Sequence, residues 1–195
     1  MEPTFYATLS RMKYIPRWTL MHNVRTESLY EHTAEVAILA HALAAIENSR
    51  FGGNVDAGKC VLLALYHDMS EILTGDLPTP VKYHDETLRD AYKQVEKEAN
   101  EHLLQKLPET LRGEYAPLLL AEESVETKFV KAADKLSALI KCVEELKMGN
   151  REFVSARKST EKALKAMDIA AVDCFIKEFL PAYEMTLDEQ EAQGI

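Results

Sequence analysis

Cysteine is scarce in this chain. Cys60, Cys142 and Cys174 are its only three, odd in number and never spaced as Cys-x-x-Cys. That excludes a disulfide framework and a thiolate-rich structural zinc site, and it fits core thiols in a reducing compartment. Long hydrophobic runs are also missing, since none reaches the roughly 20 residues that a membrane-spanning helix needs. Met1-Glu2-Pro3-Thr4 carries no basic segment leading into an apolar one. No secretory leader is expected, and a cytoplasmic location follows by default. Positive charge is in deficit. Lys and Arg number 23 against 32 Asp and Glu, a net charge of −9 with His neutral. Duplex nucleic acid and anionic membranes both call for clustered cations, so neither is an expected partner. A small phosphorylated molecule is not excluded, because one local Arg and a metal ion can override the average field.

Glycine and proline are sparse, seven of each in 195 residues, and they fall where helices should stop. Period-two alternation, an Asn-Gly hairpin turn, internal repeats and Gly/Ser linkers are all missing. These absences argue against a β architecture and against a domain boundary. What remains is an all-α chain, a single domain over 1–195, long enough to bury a full core.

The apolar spacing predicts a short helix from about Phe5 to Lys13, stopping before Ile15-Pro16, and an irregular crossing from Arg17 to Arg25. Ser28 and Glu31 have capping-box spacing. The long helix they open carries Val36, Leu39, Ala40, Leu43 and Ile46 on one face, with His32 on the same face. Asp56 caps a helix expected to run through His67 to Thr74-Gly75. Pro78 and Pro80 then enforce a stiff loop. Glu86 to Leu107 reads as a helix with the stripe Leu88, Tyr92, Val95, Ala99, Leu103 and Leu107. Pro108 starts a shorter helix, and Ser124 or Glu126 opens another that runs to Met148, before Gly149-Asn150. On it Val130, Ala133, Asp134, Ser137, Ala138 and Lys141 share a face. Helices near Arg151–Met167 and Ile169–Phe179 follow, closed by Pro181. The acidic tail after about Leu187 is expected to fray.

The most informative segment is His67-Asp68-Met69-Ser70-Glu71, which follows the apolar run from Cys60 to Tyr66. Ionisable groups at the end of a buried helix are costly unless compensated, and a divalent metal compensates them. His32 and Asp134 lie on faces that otherwise read as core, so His32, His67, Asp68 and Asp134 could converge from separate helices, as metal sites in helical bundles do. Two imidazoles and two carboxylates suit Mn, Co, Fe, Ni or a catalytic Zn. Taken singly, each has a plainer reading. An inward His is more often a hydrogen-bonded core residue, and Asp134 has Lys131 and Lys135 nearby to pair with. Together, at helix-compatible positions, they are far more specific.

The order His32, His67-Asp68, Asp134 is the signature of the HD-domain metal-dependent phosphohydrolases. The flanking text resembles their bacterial 5'-deoxynucleotidase branch. It comprises Arg17-Trp18, Asn23-Val24-Arg25-Thr26-Glu27 running into Glu31-His32, Glu71, Thr74-Gly75-Asp76-Leu77-Pro78-Thr79-Pro80-Val81-Lys82-Tyr83, and Lys131-Ala132-Ala133-Asp134. The likeness runs from Phe5 to about Asp188.

The resemblance implies an all-α HD-domain helical bundle with a single metal site between helices. His32, His67, Asp68 and Asp134 would hold one divalent transition metal such as Co or Mn. It implies hydrolysis of 5'-deoxyribonucleoside monophosphates to deoxynucleoside and inorganic phosphate, with ribonucleotides disfavoured, by a cytoplasmic homodimer. Glu71 would handle the proton and Arg17 would clamp the phosphate. Arg17, Trp18, Asp68, Asp76, Leu77, Pro78, Thr79 and Asp134 would contact substrate, with Trp18 walling off the sugar C2' position. Two rivals stay open: an HD hydrolase of another nucleotide phosphoester, and a nucleotide-binding regulator without turnover.

Overall fold

The structure, a computed structural model, describes residues 2–78 and 85–192. Among these residues it is all helix and connection, with no strand. A single bridge joins Pro16 to Ser28. Helix α1 (Phe5–Leu9) runs into a 3-10 turn over Ser10–Tyr14, so the first predicted helix tightens halfway. The chain then crosses irregularly to α2 (Leu29–Arg50). The Ser28 hydroxyl accepts the Glu31 N–H at 3.2 Å while the Glu31 carboxylate accepts the Ser28 N–H at 2.8 Å. This capping box satisfies two amides that a helix start leaves unpaired. Beyond Phe51 the chain turns through Gly52, whose φ of +71° favours glycine.

Asp56 caps α3 (Ala57–Tyr66) by accepting the Lys59 N–H at 2.9 Å. A short α4 (Glu71–Thr74) and the long α5 (Glu86–Gln105) follow. Next come α6 (Glu109–Leu119), α7 (Val125–Lys147), α8 (Phe153–Ala166) and α9 (Ala170–Glu178). A 3-10 turn over Leu180–Glu184 leads to α10 (Leu187–Glu191), which Thr186 and Glu189 open with a further capping box. No helix among the described residues is long and apolar enough to cross a membrane.

Helices α2, α3 and α7 form the centre, with α8 and α9 closing over α7 and α2. Leu43, Ala40, Leu136, Leu139 and Ile140 are fully buried there. Each large aliphatic side chain withdrawn from water contributes about 1.5–3 kcal/mol. A smaller core gathers Phe5, Met69, Leu103, Leu104, Leu107 and Leu119. Met69, in the middle of the pentad, is fully buried in it. The polar pentad is therefore fastened from below by an apolar plug.

Two sequence expectations give way. The helix expected from Asp56 to Thr74 breaks over residues 67–70. The His67 ring takes the Ala64 carbonyl at 2.7 Å, and the amides of Met69, Glu71 and Ile72 bond three residues back rather than four. That local tightening re-aims the pentad side chains. On α5, Leu88 and Val95 are exposed, at 37% and 47%, and burial begins only at Ala99. Over its first turns α5 meets α4 through one member of the stripe, Tyr92, whose hydroxyl lies 3.2 Å from that of Thr74.

Candidate active site

The pentad turn presents His67 and Asp68. The Nδ1 of His67 must donate to the Ala64 carbonyl, because a carbonyl oxygen only accepts. In the neutral ring this leaves the Nε2 lone pair free, and Nε2 faces Asp68 Oδ2 at 3.1 Å. From α2, His32 brings its own Nε2 to 3.5 Å from the same oxygen and to 3.2 Å from Asp134 Oδ1 on α7. His32 is fully buried. One donor atom each from His32, His67 and Asp68 lies within 4.8 Å of the others.

Both imidazole Nε2 atoms are buried without a hydrogen-bond partner among the described residues. Buried polar atoms without partners are unusual, and here they converge with two carboxylates. Burial disfavours charge on Asp68, yet the adjacent imidazoles hold its carboxyl well below the usual range. Asp134 shows the same opposition and settles at about 2. Burial likewise works against a charged His67, but Asp68, with lesser help from Asp134 and the Ala64 carbonyl, pushes it up to about 9. Carboxylates that remain ionised in a buried pocket beside imidazole nitrogens are the donor set a divalent cation takes. The residues fit that group.

Arg17 lies alongside. Its Nη1 reaches Glu27 Oε1 at 3.0 Å and His32 Nδ1 at 2.8 Å, and its Nη2 stands 4.0 Å from Asp134. Burial opposes its charge, and Glu27, Asp134, Asp68 and Asp76 together outweigh that and raise its pKa. The crossing segment is pinned at both ends. The Arg17 amide donates to the Glu27 carbonyl at 2.9 Å and the Leu29 amide to the Ile15 carbonyl at 2.8 Å. A buried clamp holds its middle. Glu145 accepts the amides of Val24 and Arg25 and the side chains of Lys141 and Asn150. Burial resists charge on Glu145, but these donors draw its pKa down to about 2.

Trp18 sits at φ +58°, a left-handed backbone that a bulky residue rarely adopts. Its carbonyl accepts from the Met21 amide and from Asn23 Nδ2, and its own amide donates to Asp76. The indole packs on Phe153 with ring centroids 5.3 Å apart. Its buried Nε1–H has no hydrogen-bond partner among the described residues. Burial raises the Asp76 pKa, with Arg17 pulling the other way. Leu77 and Pro78 follow, half-buried, while Thr79 lies outside the described residues.

Glu71 starts α4 and is 7% exposed, its amide donating to the Asp68 carbonyl at 3.0 Å. Thus the fold brings together Arg17, His32, His67, Asp68 and Asp134, with Asp76 joined to them through Trp18. Sequence reasoning did not single out Ser137, Glu35, Phe153 or Glu145. Ser137 Oγ lies 3.0 Å from His32 Nδ1 and donates to Glu35 Oε2 at 2.5 Å. The one available signal was Ser137 on the same helical face as Asp134.

The description 5'-deoxynucleotidase YfbR-like belongs to a family model that matches residues 4–183. The chain is 50% identical over 187 residues to the 5'-deoxynucleotidase YfbR of Escherichia coli, covering 95% of this chain and 94% of that one. An HD-domain phosphohydrolase from Listeria innocua matches with a TM-score of 0.81 at 27% identity, over 96% of this chain and 92% of that one. The HD phosphohydrolase DatZ of cyanophage S-2L, bound to dA and one catalytic Zn2+ ion, shares the fold. Its TM-score is 0.66 at 20% identity, over 95% of this chain and 100% of that one.

Proposed function

This chain belongs to the 5'-deoxynucleotidase YfbR-like family, and we propose that it removes the 5'-phosphate from deoxyribonucleoside monophosphates in preference to ribonucleotides. Hydrolysis of 5'-deoxynucleotides is the activity of relatives identical to it at half of their residues. The observation that carries the residue-level reading is the meeting of His32, His67 and Asp68 donors within 4.8 Å, beside the buried guanidinium of Arg17.

His32, His67, Asp68 and Asp134 would hold the metal, whose chemistry is to polarise the phosphate and to lower the pKa of water. Cobalt or manganese suits these nitrogen and oxygen donors. Arg17 binds phosphate oxygens with its planar fork. Asp68 and Asp134, next to that fork, keep it oriented. Glu71 takes a proton from the attacking water. As the new P–O bond forms, the P–O5' bond breaks and the same carboxyl returns a proton to the leaving O5'. The products are the deoxynucleoside and inorganic phosphate. Asp76, Leu77 and Pro78 border the sugar.

Trp18, backed by Phe153, supplies an apolar wall at C2'. A ribose hydroxyl pressed there stays unpaired, at about 1–3 kcal/mol, which is roughly five- to a hundredfold in kcat/KM. Trp18→Ala is expected to narrow the dAMP/AMP ratio of kcat/KM by that factor. An unchanged ratio removes Trp18 from the selectivity account.

The chain works as a single domain over 1–195, as a cytoplasmic homodimer acting on free nucleotides, and its net charge of −9 supports the exclusion of nucleic acid. The test is phosphate release from deoxy- and ribonucleoside mono- and triphosphates and cyclic nucleotides, each with Co2+, Mn2+ and Zn2+. Release confined to monophosphates, fastest with the deoxy forms, is expected. Metal binding without release from any deoxynucleotide would overturn the catalytic reading.

A further inference from the structure

His32 has two ends, and only one faces the candidate metal centre. Its Nε2 points to Asp68 and Asp134. Its Nδ1 points away, to Ser137 Oγ at 3.0 Å and Arg17 Nη1 at 2.8 Å. A neutral imidazole carries one N–H. To offer the Nε2 lone pair to a cation, the ring must carry its proton on Nδ1. That proton needs an acceptor. A guanidinium has none to give, and Glu27 Oε1 stands off at 3.6 Å. Ser137 Oγ is the acceptor in reach.

Ser137 is poised for this. It is fully buried. A buried helical serine commonly spends its hydroxyl on the carbonyl four residues back. Here the hydroxyl instead donates to Glu35 Oε2 at 2.5 Å, which leaves its lone pairs for His32. Glu35 lies three residues after His32 on α2, so α2 supplies both ends of the chain and α7 the middle. Read from the carboxylate inward, Glu35 accepts from Ser137, and Ser137 accepts from His32 Nδ1. Donors and acceptors match along this relay with Nε2 unprotonated, and the one contact that must open is that of Arg17 Nη1 with His32 Nδ1.

We propose that Ser137 and Glu35 are positioning residues that lock His32 in its Nδ1–H tautomer and aim the Nε2 lone pair at the metal. This rests on the reading of His32 as a ligand. Outer partners of this kind typically change metal affinity by about 10- to 100-fold when removed. The same tautomer turns an N–H toward Arg17 Nη1, and two N–H groups cannot share that contact. The guanidinium is then released from His32 while keeping Glu27.

The test is the Kd for Mn2+ alone, without nucleotide, for wild type, Ser137→Ala, Glu35→Gln and His32→Ala. Melting in chelator checks that each variant folds. Ser137→Ala is expected to weaken Mn2+ by about 10- to 100-fold, and Glu35→Gln by about tenfold. Imidazole 15N shifts of the protein loaded with diamagnetic Zn2+ should show His32 Nδ1 protonated in wild type and a disturbed signal in Ser137→Ala. If His32→Ala binds Mn2+ as wild type does, the ligand reading itself fails. If His32→Ala loses Mn2+ while Ser137→Ala and Glu35→Gln both keep wild-type affinity, the relay is overturned and the ligand reading survives. Should Ser137→Ala not fold, Glu35→Gln decides the matter alone, because Glu35 is only half-buried.

Discussion

Asp68→Asn is expected to bind no metal and to release phosphate at least about 10³-fold more slowly than wild type. Asp68 Oδ2 is the atom both imidazoles face, at 3.1 Å from His67 and 3.5 Å from His32. The facing imidazoles hold its carboxyl well below the usual carboxylate range, so it carries its negative charge at neutral pH. The amide is nearly the same size but carries no charge, and it can turn N–H groups toward lone pairs that need a cation. The fold should survive, because the pentad is fastened by Met69 in the apolar plug and not by Asp68. Metal content of the purified variant, phosphate release and a melt in chelator are the three measurements. A variant that retains metal and rate would remove Asp68 from the centre.

Glu71→Gln is expected to split binding from turnover. Metal affinity should stay within a few-fold of wild type while kcat falls about 10²- to 10⁴-fold, the usual value of a positioned proton carrier. Glu71 sits one tight turn from Asp68, its amide on the Asp68 carbonyl at 3.0 Å, and the proposed role is to carry the proton. A glutamine there keeps the shape and loses the proton chemistry. KM should change little. Loss of metal in Glu71→Gln would instead make Glu71 part of the metal shell, and an unaltered kcat would return it to a structural role. Set beside Asp68→Asn, the two variants separate holding the ion from moving the proton.

Much of this site was legible because its chemistry is carried by rare residue types at fixed helical spacings. His32 on an otherwise apolar face, the His67-Asp68 pair and Asp134 among core residues each contradict their local pattern, and the structure brings them together. The capping residues Ser28 and Asp56 were equally legible, since a cap is a local hydrogen bond, and of the two starts Ser124 and Glu126 the cap is Ser124. What escaped was set by tertiary position. The break over residues 67–70 depends on a side chain competing for the Ala64 carbonyl, which helical periodicity does not encode. Lys141 and Glu145 have the spacing of a solvated surface pair. They are 5% and 2% exposed because the crossing segment lies over them. Ser137 looked like one small residue on a face, and Glu35 like an ordinary helical carboxylate. Their meeting requires α2 and α7 to pack in one register. Leu88 and Val95 fail in the opposite direction: the stripe is present, but no described helix covers it over those turns.

Trp18 holds its left-handed backbone at φ +58°. A left-handed conformation at a bulky residue costs about 1–3 kcal/mol, and here the surrounding hydrogen bonds from Met21 and Asn23 and to Asp76 hold it in place. Glycine adopts that conformation freely. Under the proposed sugar wall, selection for heat resistance and selection for sugar discrimination therefore pull this one position in opposite directions. A thermostability screen would drift toward glycine at 18 and discard the indole. On the proposed role, a selection that penalises ribonucleotide turnover would keep a tryptophan in so unfavourable a backbone.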